Sequence, residues 1–256
     1  VGSMASLAGI VIGTLLQHDQ PLGAAILTAA LVGMLGGLLN GVLVAYVGIT
    51  PFVTTLGTLT IFSGLAFYIS GGKTIFGRVF PQPFVDFANG GVPLLTLNEQ
   101  VIKLPHLTLI ALIVLLVVGF VLEQTVFGRR LYAIGGNIEA AQLAGVRVRR
   151  LRLLAFVITG FGAALAGTML TGQLATGNPT LGDNLMLNAI AAVFLGMTMS
   201  QEGEPHVTGT LVGVLLIGVL ANGFTQIGVD TYIQRILTGA IIVASVTLSS
   251  LSRRRT

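Results

Sequence analysis

The residues GRRLYAIGGNIEAAQLAGVRVRRLR (128–152) carry six of the thirteen basic residues of a chain in which only 9% of residues are charged. Asn137 is a favourable helix N-cap, because its side-chain oxygen accepts a hydrogen bond from a free N–H of the first turn. Glu139 places a negative charge in that turn, where the helix dipole favours it. Gly145 suits the left-handed position that ends a helix. The pattern predicts a helix over 138–144.

This predicted helix has only two turns, so it is marginal in water unless it docks on something. Ala140, Ala141 and Ala144 are three and four residues apart, which gives the helix a low-profile face that a partner's cleft could accept. Gly136 ends the segment that precedes the cap. The alternative interpretation is a surface helix that only links two apolar runs.

Composition places the chain in a membrane. It has 256 residues, is 54% hydrophobic and has a mean hydropathy of +0.93, whereas about a quarter of the residues of a soluble domain are charged. A helix needs about 20 mostly apolar residues to cross a bilayer, and several runs qualify. The sequence therefore predicts an all-α fold, a polytopic transmembrane helical bundle.

Eight apolar runs are present; apart from the first, which begins at Val1, they predict about seven crossings within a single transmembrane domain over 1–256. The chain is apolar from Val1, so it is expected to start within a helix and to lack earlier N-terminal spans. The segment 71–105 is predicted to be one long loop and 125–152 a loop on the opposite side. The runs are 1–16, 22–47, 52–70, 106–124, 153–173, 185–199, 207–227 and 232–250.

Basic residues fix the orientation, because cytoplasmic loops collect Lys and Arg. The loop 125–152 and the C-terminal tail hold nine arginines, whereas 71–105 holds three basic residues. The loop 125–152 and the C-terminus are therefore predicted to be cytoplasmic, and 71–105 external. Although the pI is near 10, this distribution favours orientation signals over a nucleic-acid partner.

Some polar and small residues inside the spans have a predicted role. Polar groups there are costly unless they pair or face water, so they either line a path for a neutral polar solute or join helices by hydrogen bonds. Gly33, Gly37 and Gly41 form a bare ridge that another helix can approach closely. The polar candidates are Asn40, Thr54, Thr55, Asn188 and Asn222.

A weak internal repeat is present. GLLNG (37–41) followed by GITPFV (48–53) is similar to VLANG (219–223) followed by GVDTYI (228–233). Repeated halves are common in transporters, and coincidence in an alphabet of Gly, Leu, Val and Ala is the alternative.

Catalytic signatures are absent from the sequence. Gly72-Lys73-Thr74 lacks the earlier glycine of a phosphate-binding loop, because Phe67 stands there. The three histidines show no ligand spacing, and the chain has no cysteine. We predict no catalytic residue, no metal site, no cofactor and no ATP hydrolysis by the chain itself.

Several motifs resemble the permease subunits of bacterial ATP-binding-cassette (ABC) sugar importers of the ribose/xylose type. The most specific is YAIGGNIEAAQLAGVRVRRLR (132–152), and the similarity extends over essentially the whole chain. The others are VGS (1–3), NG (40–41), PFVTTLGTL (51–59), LNAIAAVFLG (187–196), GTLVG (209–213) and NG (222–223).

The resemblance implies a permease in a bacterial inner membrane that pairs with a second permease, as a homodimer or heterodimer, and with cytoplasmic ABC ATPases. A periplasmic or lipid-anchored binding protein would deliver the solute, and the external loop, with Phe76, Phe80, Phe84 and Phe87, would help to meet it. Membrane lipid surrounds the spans, and anionic head groups could pair with the arginines. The ATPase-coupling residues would be Gly136, Asn137, Glu139, Ala140, Ala141, Ala144 and Gly145.

Three alternatives remain open. A branched-chain amino acid permease belongs to the same superfamily. A secondary transporter is less favoured, because it should carry charge inside the membrane. A membrane scaffold has no need for a capped, alanine-rich helix in a basic loop.

Overall fold

The computed structural model describes residues 1–77, 79–97, 100–198 and 204–230, together with 232–234, 236–237, 239–241, 243 and 247; the side chains at 94–97 and 100–102 are not part of this description. The chain divides into two units, Val1–Asp183 and Asn184–Thr256, and each is described by itself. Arg78, one of the three basic residues of 71–105, and the arginines of the C-terminal tail lie outside the described residues.

Helices account for most of the described chain, which confirms the all-α prediction. They are α1 (Gly2–Gln17), α2 (Leu22–Val42) with a π-helical turn (Leu43–Val47), α3 (Pro51–Ser70), α4 (Gln82–Asn89), α5 (His106–Gln124), α6 (Val126–Gly136), α7 (Ile138–Leu143), α8 (Val148–Leu174), α9 (Asp183–Met197) and α10 (Val207–Gln226).

Within the described ranges, five helices are long and apolar enough to cross a membrane: Leu22–Val47, Pro51–Ser70, His106–Gln124, Val148–Leu174 and Val207–Gln226. α1 and α9 are shorter apolar helices. The count of seven crossings stays a prediction, as does the single domain. The predicted span 232–250 lies largely outside the described residues.

The glycine ridge of α2 packs on α8, as predicted. A Cβ added at Gly37 would overlap the carbonyl oxygen of Phe156, and one added at Gly41 would lie 3.0 Å from the Cα of Leu153. A Cβ on Gly160 of α8 would overlap the carbonyl oxygen of Gly33. The two backbones are therefore in contact along several turns, which only small residues permit.

The core of the first unit surrounds α1. Ala8, Ile10 and Ile12 are fully buried and cluster with apolar residues of α2, α3, α4 and α8. On α3, Phe62 packs against Gly36 of α2.

The segment 71–105 is not a plain loop, so that prediction is wrong in detail. It holds α4 and three short strands: β1 (Ile75–Phe76), β2 (Gly91–Leu97) and β3 (Gln100–Pro105). β2 pairs with β3, and β1 pairs antiparallel with β4 (Thr176–Gly177), directly after α8. Pairing satisfies the backbone groups that an irregular loop would leave to water.

The four phenylalanines of this segment divide into two pairs. Phe80 and Phe84 are buried in the core, whereas Phe76 and Phe87 are exposed. The ring of Phe87 stacks on that of His106 at 4.9 Å, and His106 Nδ1 lies 2.9 Å from the Phe87 carbonyl oxygen. Only Phe76 and Phe87 therefore remain available to a partner.

The long helix α8 starts at Val148, five residues before the predicted span. The loop was predicted to end at the last arginine, Arg152. Arginine, however, is a good helix former, and its aliphatic stem can lie along an apolar surface while the guanidinium stays in water. Arg149, Arg150 and Arg152 therefore form the first turns of α8.

In the second unit, α9 packs closely on α10. A Cβ on Gly213 would overlap the carbonyl oxygen of Ala192, and one on Gly209 would lie 2.6 Å from that of Gly196. Small residues on both helices again bring the backbones together.

Candidate functional site

Helix α7 has the predicted N-cap. The Oδ1 of Asn137 accepts a hydrogen bond from the backbone N–H of Ala140 at 3.0 Å, and Asn137 itself is extended, with φ −150° and ψ 109°. Glu139 lies in the first turn, where its charge is favourable. Asn137 and Glu139 therefore stabilise the first turn of α7 without help from another part of the chain.

The C-terminus of α7 is closed by two reverse hydrogen bonds. The N–H of Val146 donates to the carbonyl of Ala141 at 3.0 Å, and the N–H of Gly145 donates to that of Gln142 at 2.9 Å. Gly145 is left-handed, with φ +78°, so the end is a Schellman motif. The helix ends at Leu143, one residue earlier than predicted, and Ala144 is its C-cap.

Ala141 docks α7 on its own chain. Its side chain is 5% exposed and lies in a cluster with Ile134 of α6 and with Val148 and Leu151 of α8. α6, α7 and the start of α8 thus share one small apolar core, which meets the need of a two-turn helix for tertiary support. Ala141 does not face outward, so the prediction that it belongs to an exposed alanine face is wrong; its side chain holds α7 against α6 and α8.

The outward face of α7 differs from the predicted alanine face. Ala140 and Ala144 are exposed, as predicted, but the prominent apolar group is Leu143, whose side chain is 92% exposed. Ile138, the first residue of α7, is also exposed. Leu143 was not among the predicted residues, although the 3.6-residue period puts it on the opposite face from Ala141.

Gly136 and the arginines surround this helix. Gly136 is the last residue of α6, and a Cβ there would meet open space. Arg129 and Arg130 on α6, and Arg147, Arg149 and Arg150 at the start of α8, are exposed. The guanidinium of Arg129 donates to the Gln124 carbonyl at 3.4 Å. α7 is therefore an outward apolar face within a basic surface.

The cap gives the first testable prediction. Asn137→Ala removes the acceptor for the Ala140 N–H and should destabilise α7 by about 1 kcal/mol. Amide hydrogen exchange should then become about fivefold faster at the α7 amides 140–143, with α8 amides unchanged. Asn137→Ser keeps a capping oxygen and serves as the control. Equal exchange rates for Asn137→Ala and the wild type would contradict the prediction.

Two of the predicted pathway residues are buried without partners. Asn40 on α2 is 4% exposed, and Thr54 on α3 is similarly buried. No described residue forms a hydrogen bond with Asn40 Oδ1 or Thr54 Oγ1. Asn40 is one turn beyond Gly36, whose surroundings are Met4 and Phe62. Both oxygens are therefore buried without a hydrogen-bond partner among the described residues, which is costly for a polar group.

Thr55 differs from its neighbour. It is half-buried, and its Oγ1 donates to the carbonyl of Pro51 at 2.9 Å. That bond lies within α3, so Thr55 joins no second helix through it.

In the second unit, the predicted pathway residues face outward. Asn188 on α9 and Asn222 on α10 are exposed. Asn222 Oδ1 accepts from the Nε2 of Gln226 at 2.8 Å, one turn later. Their exposure leaves both amides accessible from outside the unit.

A set of buried hydroxyl groups on α1 and α8 was not predicted from the sequence. Ser6 Oγ accepts from the Gly182 N–H at 2.8 Å. Thr171 is fully buried, its Oγ1 has no described partner, and a Cβ on Gly9 would lie 2.5 Å from that oxygen.

Among the described residues, no three His, Cys, Asp or Glu side chains form a group that could hold a metal ion.

Comparisons with known proteins give a family. The family described as "branched-chain amino acid transport system / permease component" matches residues 1–246. The ribose import permease protein RbsC of Bacillus subtilis is 38% identical over 212 residues, which cover 82% of this chain and 62% of that protein.

Two Escherichia coli proteins match over greater length. The galactose/methyl galactoside import permease protein MglC is 35% identical over 269 aligned residues, which cover 99% of this chain and 78% of the length of MglC. The D-allose transport system permease protein AlsC is 34% identical over 252, covering 98% and 74%. The chain thus spans less than two thirds of the ribose permease and about three quarters of these two. No solved structure matches the chain.

Proposed function

Because the chain belongs to the family of permease components of branched-chain amino acid transport systems, we propose that it is the membrane-spanning subunit of an ABC importer for a sugar or a similar small polar solute. The observation that carries the solute class is the identity of 34–38% with permeases named for ribose, galactose and allose. A permease component is not itself an enzyme, so ATP hydrolysis belongs to a separate subunit.

The coupling element in this proposal is α7. It is capped at both ends, docked through Ala141 and exposes Leu143 and Ile138. An exposed apolar side chain on a rigid support stabilises an interface when a partner covers it. A cytoplasmic ABC ATPase is the partner that would cover it, and the arginines beside it fit acidic groups of that ATPase or anionic lipid head groups.

The proposed pathway residues remain Asn40, Thr54, Thr55, Asn188 and Asn222. The unpartnered oxygens of Asn40 and Thr54 and the exposed amides of Asn188 and Asn222 support a path for a solute rich in hydroxyl groups. Hydrogen bonding within α3 makes Thr55 the weakest member of the set. A second permease, as homodimer or heterodimer, and a periplasmic or lipid-anchored binding protein complete the assembly.

Solute class is tested by uptake into vesicles that contain the permease with its ATPase and binding protein. Competition by unlabelled ribose, galactose and allose should reduce uptake of the labelled solute, whereas leucine should not. Inhibition by leucine alone would favour the branched-chain amino acid alternative, which the family description itself names.

Pathway residues are tested by Asn188→Leu and Asn222→Leu. Both side chains are exposed, so we expect normal insertion and at least about a tenfold lower transport rate per molecule, since loss of a polar contact of about 1.4 kcal/mol changes a rate tenfold. Lower protein amount with unchanged transport per molecule would instead assign the two amides a structural role.

Orientation in the bacterial inner membrane is tested by single cysteines, since the chain has none of its own. Asp86→Cys on α4 should react with a membrane-impermeant maleimide from outside, and Gly136→Cys should not. Both positions are exposed, and a Cβ on Gly136 meets no atom within 4 Å. The opposite labelling pattern would overturn the proposed orientation and the cytoplasmic C-terminus.

A further inference from the structure

The apolar helix α5 has no buried face in its unit. It is described over its whole length, and none of its residues is buried. The elements that pack most extensively against it are α4 and β3, near where it begins, and α6, where it ends. Leu116, Val117 and Phe120 are each more than half exposed. Most of the length of α5 is therefore open to whatever surrounds the first unit.

The sequence of α5 favours lipid over another helix on this open side. Helices that pack closely in membranes carry small residues about four positions apart, as Gly33 and Gly37 do on α2. The small residues of α5 are Thr108, Ala111 and Gly119, and no two of them are four positions apart. Acyl chains match the bulky apolar remainder, because lipid tails are as apolar as leucine.

A closed turn joins the end of α5 to α6. Thr125 Oγ1 donates to the carbonyl of Val121 at 2.6 Å and accepts from the N–H of Gly128 at 3.4 Å. A Cβ added at Gly128 would overlap the carbonyl oxygen of Leu122. We name residues 121–130 the α5–α6 corner. Because its two helices meet so closely, the residues that follow Gly128 are held beside the end of α5.

Two arginines complete the α5–α6 corner. Arg129 and Arg130 are both exposed, and Nη1 of Arg129 donates to the carbonyl of Gln124, the last residue of α5, at 3.4 Å. That bond engages one of the five N–H donors of the guanidinium. When α5 spans the bilayer, its end lies at the level of the head groups, and the guanidinium of Arg129 lies there with it.

The surrounding segment has an excess of positive charge. Residues 123–152 include six arginines and two carboxylates, Glu123 and Glu139, so the arginines outnumber the groups that could neutralise them within the segment. A head group with net negative charge complements such a surface, whereas the ammonium of a zwitterionic head group is repelled by it. The planar guanidinium also matches the oxygens of a phosphate in bidentate geometry.

We propose that the α5–α6 corner and the open side of α5 form a binding site for an anionic phospholipid of the surrounding bilayer. Arg129 and Arg130 bind the phosphate, and the acyl chains lie along the exposed side chains of α5. A lipid bound there holds α6 at the membrane surface, and α6 shares a small core with α7 and the start of α8. The site requires neither a particular solute nor a partner protein.

Lipid preference is measured with a single fluorescent reporter, because the chain has no tryptophan of its own. Phe120→Trp lies at an exposed position of α5, one turn before Gln124. The variant is placed in phosphatidylcholine vesicles with a minor fraction of brominated lipid, either phosphatidylglycerol or phosphatidylcholine. Bromine quenches tryptophan on contact. We expect phosphatidylglycerol to associate at least about fivefold more strongly, the effect of one arginine near an anionic surface.

Three controls separate the arginines from the general charge of the protein. With the Phe120→Trp reporter, Arg129→Gln together with Arg130→Gln should abolish the preference while quenching by brominated phosphatidylcholine stays the same. Arg147→Gln removes an exposed arginine outside the α5–α6 corner and should leave the preference in place. Phe62→Trp, at a buried position of the core, should be quenched by neither lipid.

A salt titration tests the same contact without substitution of the arginines. Raising the ionic strength to about 1 M shortens the Debye length to about 3 Å and should weaken the preference for phosphatidylglycerol. Leu116→Trp, also exposed on α5, serves as the reporter if Phe120→Trp fails to insert.

Equal quenching by the two lipids would overturn the proposal, as would a preference that survives loss of both arginines. Absence of quenching at α5 would also overturn it, because another protein would then cover the helix. Loss of the preference on addition of the cytoplasmic ATPase would assign the arginines to that interface instead. Since the vesicles need neither ATP nor a transported solute, failure here leaves the proposed ABC function untouched.

Discussion

Leu143→Ala should lower solute uptake and solute-stimulated ATP hydrolysis at least about thirtyfold, without changing the amount of inserted permease. Leu143 is 92% exposed on a helix that lies outside the predicted spans, so its truncation removes no internal packing. Burial of a leucine side chain by a partner is worth about 2 kcal/mol, and each 1.4 kcal/mol is a factor of ten. The measurement is the ATPase rate with and without loaded binding protein, in vesicles with equal permease content.

Val126→Ala is the matched control, because Val126 is an exposed apolar residue of α6 outside α7. It should leave stimulation unchanged. Ala141→Trp should also abolish stimulation, but for another reason: Ala141 is buried among Ile134, Val148 and Leu151, so the larger ring would displace α7. If ATP hydrolysis with the Leu143→Ala permease were stimulated normally by loaded binding protein, α7 would only connect α6 to α8 and would have no role in coupling.

Gly37→Ala should destabilise the permease by about 1–3 kcal/mol, the usual range for overpacking. The new methyl group would overlap the carbonyl oxygen of Phe156 and lie 2.9 Å from the Cα of Val157, both backbone atoms of α8. Because backbone atoms cannot rotate away, the helices must separate. The measurement is thermal unfolding in detergent, followed by the loss of the monodisperse peak in size-exclusion chromatography.

Gly57→Ala provides the same substitution without the contact. Gly57 lies in the interior of α3, and a Cβ there meets no atom within 4 Å. The variant should be unchanged or more stable by about 0.5–1 kcal/mol, since alanine loses less backbone entropy than glycine in a helix. Equal melting of the two variants would mean that the α2–α8 contact contributes little to stability.

The long helices were predictable because the thickness of the bilayer sets the length of each apolar run, and these runs can be read directly from the sequence. The span predicted at 106–124 coincides with α5, and those at 52–70 and 207–227 differ from α3 and α10 by one residue. The cap of α7 was predictable too, since Asn137 and Gly145 act on neighbouring backbone groups. Such features depend on residues a few positions apart.

Features that depend on distant residues were not predictable. The docking of Ala141 requires Ile134 and Leu151 to meet, and the strand β1 requires a partner about 100 positions later. No local pattern distinguishes Asn40 from Asn222, although their surroundings differ.

The β1–β4 pair has a mechanical consequence. It fastens the end of α8 that follows Leu174 to the segment after α3, while the opposite end of α8 carries α6 and α7. A helix of 27 residues is about 40 Å long at 1.5 Å per residue. A pivot of about 10° around the fastened end would move the far end by about 7 Å on the same geometry. Any displacement of the end of α8 near α7 would therefore be shared by α2, because the glycine contacts bring the two backbones together.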